Sequence, residues 1–301
     1  MWAIGLDAGG TKIAGGVVDL STGEVTLTRV IPTGIERGGA AALDDAVALA
    51  RAIKREAAEH EMHPARLGLG VPELVDHQGR ITASDVIFWE DLPVQARFDA
   101  ILPTTIESDV RAAALAEARY GAGRDFALFA YVTVGTGISS AIVIDGRPLT
   151  GARGNAIALA SGHLTLPAST DDDAIRQVLE RYASGPGLVH RYQEATGKRL
   201  SRAEDVIVAA DFGDPVARDV VRSGAASLGN SIGFLVNIID PAAVVIGGGL
   251  GLAGGLYWET LLVSTREHIW PPATRLLPIL PAALGPNAGL IGAAAATEVR
   301  P

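Results

Sequence analysis

The 301-residue sequence contains no cysteine and only three lysines, Lys12, Lys54 and Lys198. Without cysteine the chain can form no disulfide, no thiolate zinc site and no cysteine nucleophile. The formal net charge is −9, and Lys and Arg form no basic run. A general nucleic-acid surface is therefore not expected, because such surfaces concentrate positive charge on one face.

A long apolar run and a secretory leader are also missing. No uninterrupted apolar stretch is long enough to span a bilayer, and the opening MWAIGLDAGG has neither a basic segment nor a signal-type apolar core. We therefore expect a cytoplasmic protein without a membrane partner. Hydrophobic residues make up 48% of the chain, which is enough for one large α/β unit or two ordinary domains.

Strand-like and helix-like segments alternate along the chain. WAIGL and KIAGGVVDL predict two strands joined by a glycine turn, and GRITAS and TTIESD predict further strands. GGAAALDDAVALARAIKREAAEH, VRAAALAEARYGAG and the terminal GPNAGLIGAAAATEV have the composition and periodicity of helices. The segment FALFAYVTVGTGISSAIVIDG repeats the opening arrangement of apolar strand, glycine turn and apolar strand.

The opening glycine turn, within GLDAGGTKIAGGVVDL, fits neither of the two common phosphate loops. A Walker loop needs the spacing G-x-x-x-x-G-K-[ST], and both it and the dinucleotide fingerprint require a helix after the glycines. Here the chain continues as a strand. What remains is a hairpin whose tight turn lets backbone N–H groups approach an anion. For one such turn alone, an ordinary glycine-rich hairpin remains an equal alternative.

Two such turns, followed by the strand-to-glycine segment VVIGGG, resemble the ROK sugar kinases within the larger group of actin-like ATPases. The resemblance covers essentially the whole chain. Residues 7–12, DAGGTK, resemble the family's first phosphate motif D-x-G-G-T-K, and residues 135–137 resemble the second. ESDVRAAALAEARYGAG resembles the family's E-N-D-A-N-A-A-A-L-A-E segment, and LERYASGPGLV resembles the segment after its zinc loop.

This resemblance implies a two-domain actin-like ATPase fold of the ribonuclease H-like α/β type, with mixed β-sheets flanked by helices and a cleft between the domains. The smaller domain is expected at residues 1–115, completed by the C-terminal helix 287–301, and the larger domain at 116–286. By resemblance, the residues that bind ATP are Asp7, Gly9, Gly10, Thr11, Lys12, Gly135, Thr136, Gly137, Gly247, Gly248 and Gly249.

The implied reaction transfers the γ-phosphate of ATP to a primary hydroxyl, O6, of a hexose or a modified hexose such as an amino sugar. Asp109 is the expected catalytic base, since a carboxylate within reach of the hydroxyl can take its proton. It also sits where a strand gives way to a helix, so a helix N-cap is the alternative role. Mg²⁺ would sit on the phosphates, with Asp7 nearby through water.

Several positions depart from the family pattern in the sugar pocket. The glutamate of G-E-x-G-H is Ala160, the asparagine before the catalytic aspartate is Ser108, the glycine of P-G-P-V is Glu73, and Asp85 replaces an asparagine. These exchanges suit a sugar that carries an amine or lacks a hydroxyl; sequence drift in an ordinary hexose kinase is the alternative. The expected substrate-binding residues are Glu73, Asp85, Ser108, Asp109, His163 and Glu180.

The family's zinc site, built from one histidine and three cysteines, is not expected here. His163 remains, as a sugar contact or a loop support, but PASTDDDAIRQ stands where the cysteine loop would be. A kinase that has lost turnover and only binds sugar is the rival hypothesis. Repression of transcription is weakly supported, because only six residues precede Asp7. Members of the family are often dimers, so a homodimer is expected.

Overall fold

The computed structural model describes residues 1–157, 159, 163–166 and 175–299, and of residues 163–166 and 175–177 it describes the backbone only. The strands, in chain order from β1 to β12, are Trp2–Ala8, Lys12–Asp19, Val25–Pro32, Arg66–Val71, Thr104–Ser108, Leu128–Val134, Ile138–Ile144, Arg147–Pro148, His163–Leu166, Ile175–Val178, Ala243–Gly247 and Ile279–Pro281. The helices, from α1 to α9, are Gly39–Glu59, Val94–Asp99, Asp109–Tyr120, Leu179–Ala183, Gly185–Thr196, Ala203–Asp211, Pro215–Ile239, Gly255–His268 and Ala288–Ala296.

The chain divides into two compact units. Unit 1 comprises residues 1–127, 141–157 and 283–301, and unit 2 comprises residues 128–140 and 158–282. The sequence-based boundary between residues 115 and 116 lies inside α3, a helix that belongs wholly to unit 1. In the part of the chain that the structure describes, no helix has both the length and the apolarity needed to cross a membrane.

The sheet of unit 1 has the strand order β3-β2-β1-β4-β5. β1 and β2 form the predicted antiparallel hairpin, whereas β1, β4 and β5 run parallel to one another. The register places Asp7 beside Gly70 and Gly70 beside Glu107. Because parallel strands end at the same edge of a sheet, the residues that follow these three strands are brought together there.

One face of this sheet is covered by α1. Its apolar residues recur at helical spacing and join the main core cluster, among them Leu43, Val47, Ala50 and Ile53. The other face carries α9 and α3, whose residues Leu290, Ile291 and Ala116 belong to a second buried cluster. The predicted helices at 38–60 and at the C-terminal end are thus confirmed.

Glycines set how closely α9 approaches its neighbours. A Cβ on Gly68 of β4 would lie 1.7 Å from the carbonyl oxygen of Ala293 in α9. Likewise, a Cβ on Gly292 of α9 would lie 1.6 Å from the carbonyl oxygen of Ala112 in α3. Backbone therefore packs directly on backbone at both contacts, and no side chain fits between the elements.

Unit 2 contains β11, which runs parallel to β6 and to β12. The whole sheet has the order β12-β11-β6-β7-β8, and β7 extends from unit 2 into unit 1. The long helix α7 begins after Asp214, whose carboxylate accepts hydrogen bonds from the amides of Val216 and Ala217 at 3.0 and 3.1 Å. This is the N-cap arrangement that satisfies the first helical amides.

The predicted strand at GRITAS, residues 79–84, is wrong. Only an isolated bridge between Ile81 and Val75 forms there. The carboxylate of Asp76 accepts hydrogen bonds from the amides of Gln78 and Arg80 at 2.8 and 2.9 Å, which folds the preceding residues into a turn. A side chain that captures nearby amides competes with sheet pairing, and here it prevails.

We expect Gly292→Ala to destabilise the protein by at least about 3 kcal/mol, because the added methyl must displace the backbone of α3. Urea denaturation measures the change. The control Ala296→Gly, in the same helix, should cost only about 1–2 kcal/mol through lost propensity and one lost methyl. Equal effects of the two substitutions would contradict the close-packing argument.

Candidate active site

The first glycine turn is a tight hairpin in unit 1. The amide of Gly9 donates to the carbonyl of Lys12 at 2.9 Å, which closes the turn. The fully buried Thr33 donates its hydroxyl to the carbonyl of Gly9 at 2.6 Å and its amide to the carbonyl of Thr11 at 3.0 Å. Thr11 and Lys12 are exposed. Thr33 therefore holds the backbone of the turn, while the Thr11 hydroxyl and the Lys12 ammonium group stay accessible to an anion.

Two carboxylates meet near this hairpin. Burial raises the pKa of Asp7 to about 6, opposed by the nearby charge of Lys12. Burial likewise raises the pKa of Asp109 to about 7, with the negative charge of Asp7 adding to the effect. The hydrogen bond from the Val110 amide to Asp109, at 2.6 Å, acts in the opposite direction. A carboxyl with a pKa near neutrality is suited to general-base catalysis.

The last helix reaches this site as well. Asp7 is the penultimate residue of β1, and a Cβ on Gly289, in the first turn of α9, would lie 2.5 Å from its Oδ2 atom. Only glycine leaves room for the carboxylate at that point. Gly289 could not be predicted from local sequence, because its role depends on a contact between the two ends of the chain.

Asp109 is the first residue of α3, and Ser108 occupies the cap position. The side chain of Ser108 makes no cap hydrogen bond, although it is fully buried. Among the described residues its hydroxyl has no hydrogen-bond partner. Buried hydroxyls are nearly always paired, so Ser108 is a candidate contact for a hydroxyl of a bound ligand.

A buried ion pair supports the start of α3. Glu107 accepts hydrogen bonds from the Arg111 Nε atom at 2.7 Å and from the Ser108 amide at 2.8 Å. The same guanidinium donates to the carbonyl oxygens of Gly154 at 2.5 Å and Val75 at 2.7 Å. Arg111 thereby joins three segments of unit 1 beside the catalytic candidate. Its charge also lowers the pKa of Asp109, although not enough to outweigh burial.

Glu73 lies beneath the loop that follows Ser84. Its side chain is 2% exposed, and its carboxylate accepts hydrogen bonds from the amides of the next four residues, Asp85, Val86, Ile87 and Phe88. The side chain of Asp85 is exposed. A direct contact of Glu73 or Asp85 with sugar stays a prediction.

The second glycine turn belongs to unit 2. The Gly135 amide donates to the carbonyl of Gly137 at 2.9 Å, and the Ile138 amide donates to the Glu180 carboxylate at 2.8 Å. A Cβ on Gly137 would lie 2.8 Å from the same carboxylate, so Glu180 supports this turn directly. Its predicted contact with sugar is not tested. His163 lies in β9 with only its backbone described, and Ala160 lies outside the described residues.

The third glycine segment turns sharply after β11. Gly248 has φ +82°, and a Cβ there would lie 2.3 Å from the carbonyl oxygen of Val134. The amides of Leu250 and Gly251 donate to that same carbonyl at 3.0 and 3.1 Å. This geometry requires glycine at position 248 and holds the segment against the end of β6.

The second and third glycine segments share one cavity of about 1000 Å³ in unit 2. The lining combines backbone with polar side chains and includes Gly135, Thr136, Gly249, Gln193, Glu204 and Asp211. Ligand pockets of this volume accommodate molecules of nucleotide size. Within the described ranges, His, Asp and Glu form no group of three or more that could hold a metal ion.

The raised pKa of Asp109 predicts how stability depends on pH. The folded state binds the carboxyl proton more tightly than the unfolded state does. The resulting contribution to stability is therefore lost as the pH rises from about 4 through about 7. We expect the free energy of unfolding of Asp109→Asn to exceed that of the wild type by about 2 kcal/mol at pH 8 and to equal it at pH 4. Chemical denaturation at both pH values measures the difference.

Asp76 is the control, because its pKa is shifted in the opposite direction to that of Asp109. Burial raises its pKa, but hydrogen bonds from Arg80 and Gln78 outweigh burial and lower it below the ordinary value. Asp76→Asn should therefore destabilise the protein at pH 8 and lose this effect in acid. A wild type that is stabilised relative to Asp109→Asn at pH 8 would refute the assignment for Asp109.

Comparisons with known proteins agree with this arrangement. The model of the ROK family matches residues 3–299. A glucokinase of Streptomyces coelicolor is 30% identical over 319 residues, which cover 97% of this chain and 96% of the relative. An N-acetyl-D-glucosamine kinase of Shigella flexneri is 31% identical over 261 residues, covering 82% and 83%.

A solved structure shares both the fold and a clear sequence relationship. The ROK family glucokinase from Streptomyces griseus, in complex with glucose and AMPPNP, aligns with a TM-score of 0.77 and 30% identity over 98% of each chain. The mixed sheets, the two glycine hairpins and the family match are consistent with one another. The chain belongs to the ROK family, with the actin-like ATPase fold.

Proposed function

We propose that the protein is an ATP-dependent sugar kinase that transfers the γ-phosphate to a primary hydroxyl, O6, of a hexose or a modified hexose such as an amino sugar. The observation that carries this proposal is the Asp109 carboxyl, half-buried beside Asp7, with a pKa of about 7. The two relatives named above are a glucokinase and an N-acetyl-D-glucosamine kinase, which supports a hexose-type substrate.

Each part of the site has a defined task in this reaction. Asp109 accepts the proton of the attacking hydroxyl, whose oxygen forms a bond to the γ-phosphorus as the bond to the β-phosphate oxygen breaks. Ser108 offers a buried hydroxyl to the sugar. The hairpin at Gly9 and the cavity at Gly135 present backbone and hydroxyl groups for the phosphates and the nucleoside.

Mg²⁺ fits the residues of unit 1. Asp7 and Asp109 are close enough for one charge to raise the pKa of the other, and a divalent cation would relieve that repulsion. Asp7 would hold the ion through water, since Mg²⁺ retains several waters and binds mainly to phosphates. The ion would neutralise charge that develops on the transferred phosphoryl group.

The alternative is a protein that binds sugar without turning it over. Replacement of the family's pocket residues at positions 73, 85 and 108 favours it, because each replacement changes a hydrogen-bonding group. The retained Asp109, with a pKa suited to proton transfer, favours the kinase. Turnover therefore distinguishes the two candidates.

We expect ADP release with ATP, Mg²⁺ and one or more members of a panel of hexoses and aminohexoses. Asp109→Asn should reduce kcat by about 10²–10⁴-fold, the usual contribution of a general base, while calorimetry shows retained sugar binding. The exposed Asp125 is the matched control, and Asp125→Asn should keep wild-type turnover.

Two outcomes would contradict the proposal. Undiminished turnover in Asp109→Asn would remove Asp109 as the base. Sugar binding without ADP release across the whole panel would favour the non-catalytic alternative. The pH profile adds a check: kcat/KM should fall below about pH 7 as Asp109 becomes protonated.

We also propose that the protein is a cytoplasmic homodimer. In unit 2, Phe234 and Ile238 lie one turn apart on α7, and each is 64% exposed. Asn237, between them, accepts a hydrogen bond from the Trp270 amide at 2.9 Å, which places the 82% exposed Trp270 near the end of α7. Large apolar groups clustered on a surface are typical of an interface.

The double substitution Phe234→Glu/Trp270→Glu should reduce the mass measured by light scattering from two chains to one, because it places charge in the apolar patch. Phe212→Glu is the control, since Phe212 is 89% exposed and follows α6, whereas the patch is formed by α7 and Trp270. A dimer that persists in the double variant would show that this patch is not the interface.

A further inference from the structure

The carboxylate of Glu73 has an unusual set of partners for a buried acid. Its Oε1 atom accepts hydrogen bonds from the amides of Val86, Ile87 and Phe88 at 2.9, 2.7 and 3.2 Å, and its Oε2 atom accepts one from Asp85 at 2.9 Å. Three consecutive amides converge on Oε1 and a fourth donates to Oε2, so both oxygens of the carboxylate accept hydrogen bonds from the loop. Glu73 therefore serves as an internal anion around which residues 85–88 fold.

Other contacts hold the two sides of this loop. The buried Trp89 donates its indole N–H to the carbonyl of Gly39 at 2.9 Å. A Cβ on Gly39 would lie 2.6 Å from the carbonyl oxygens of Ile87 and Phe88, so helix α1 begins directly against the loop. Phe88 has φ +58°, a left-handed conformation that a bulky residue adopts only when its surroundings impose it.

The loop lies against the catalytic apparatus of unit 1. A Cβ on Gly10 in the first hairpin would lie 2.8 Å from a methyl group of Val86. On the other side, the negative charge of Glu73 contributes to the raised pKa of Asp109. The loop is thus placed within reach of both the phosphate hairpin and the base.

Three of the four side chains of the loop are exposed, whereas Ile87 is buried in the core and all four amides donate inward to Glu73. Asp85 is exposed, Val86 is 38% exposed and Phe88 is 53% exposed. The loop therefore presents a carboxylate, a methyl surface and an aromatic ring, and its four amides are withdrawn from any ligand. This chemistry suits a sugar, which offers hydroxyl donors to the carboxylate and C–H faces to the ring.

We propose that Glu73 is a positioning residue that fixes the shape of the 85–88 loop as one wall of the sugar site, and does not itself bind the sugar. This inference rests on the proposed sugar kinase function. In place of the expected direct contact between Glu73 and the sugar, Glu73 acts on the sugar through the loop. This role also explains a carboxylate at a position where the family pattern has glycine.

The test uses Glu73→Gln in the full chain. The amide side chain has one acceptor oxygen and directs N–H groups toward the loop, so hydrogen exchange at the amides of residues 85–88 should accelerate about tenfold or more. The KM for the best sugar of the panel should rise about tenfold or more, with the KM for ATP changed less than about twofold. Loss of the negative charge should also move the acidic limb of kcat/KM to lower pH.

Glu117→Gln is the matched control. Glu117 is fully buried, and its carboxylate accepts hydrogen bonds from the amides of Ala122, Ala283 and Leu284 at 2.8, 3.1 and 2.9 Å. It therefore performs the same structural task away from the proposed sugar wall. This variant should lose stability to a similar extent and keep both KM values and the pH profile. Should Glu73→Gln not fold, Glu73→Asp, which withdraws the carboxylate by one methylene, takes its place with the same expectations.

Unchanged exchange at 85–88, or equal increases in sugar KM for the Glu73 and Glu117 variants, would overturn the proposal. So would rapid exchange of these amides in the wild type without sugar, reversed only when sugar binds. A wild type that binds sugar but shows no turnover would refute the kinase function alone, since exchange rates and sugar affinity measured by calorimetry still test the role of Glu73.

Discussion

The burial of two neighbouring carboxyl groups, Asp7 and Asp109, is the constraint on which the candidate site of unit 1 depends. Water would screen two such charges, but burial removes part of that screening and raises the pKa of each group. Together the pair can accept a proton near neutral pH and attract a divalent cation. Both properties are what phosphoryl transfer to an alcohol requires, because the reaction releases a proton and gathers negative charge.

The surrounding residues hold this arrangement in place. Thr33 supports the hairpin beside Asp7, Gly289 leaves space for the Asp7 carboxylate, and the Glu107–Arg111 pair secures the start of the helix that carries Asp109. Glu73 then orders the neighbouring loop. Thr33 and Glu73 bind backbone groups, and Gly289 leaves room that a side chain would fill, so the precision of the site depends on the main chain as much as on side-chain identity.

Several features followed from local sequence patterns. The hairpin at Gly9 was predictable because strands on both sides exclude the helix that the other phosphate loops require, and α1 was predictable from its apolar periodicity. At residues 79–84, by contrast, the pattern predicted a strand that does not form, because the Asp76 side chain captures amides that a strand would have used. The packing of α3 along α9 was likewise beyond local patterns, because it joins segments distant in sequence.

The sequence by itself determined the family, the three glycine turns and the identity of the candidate base, since each depends on residue types at short spacing. Only the tertiary structure decided which groups act on one another: that Asp7 shifts the pKa of Asp109, that Gly289 adjoins Asp7, and that Glu73 and Glu180 support backbone turns. These relations join residues separated by tens to hundreds of positions. They arise from strand order, register and burial, which no local pattern encodes.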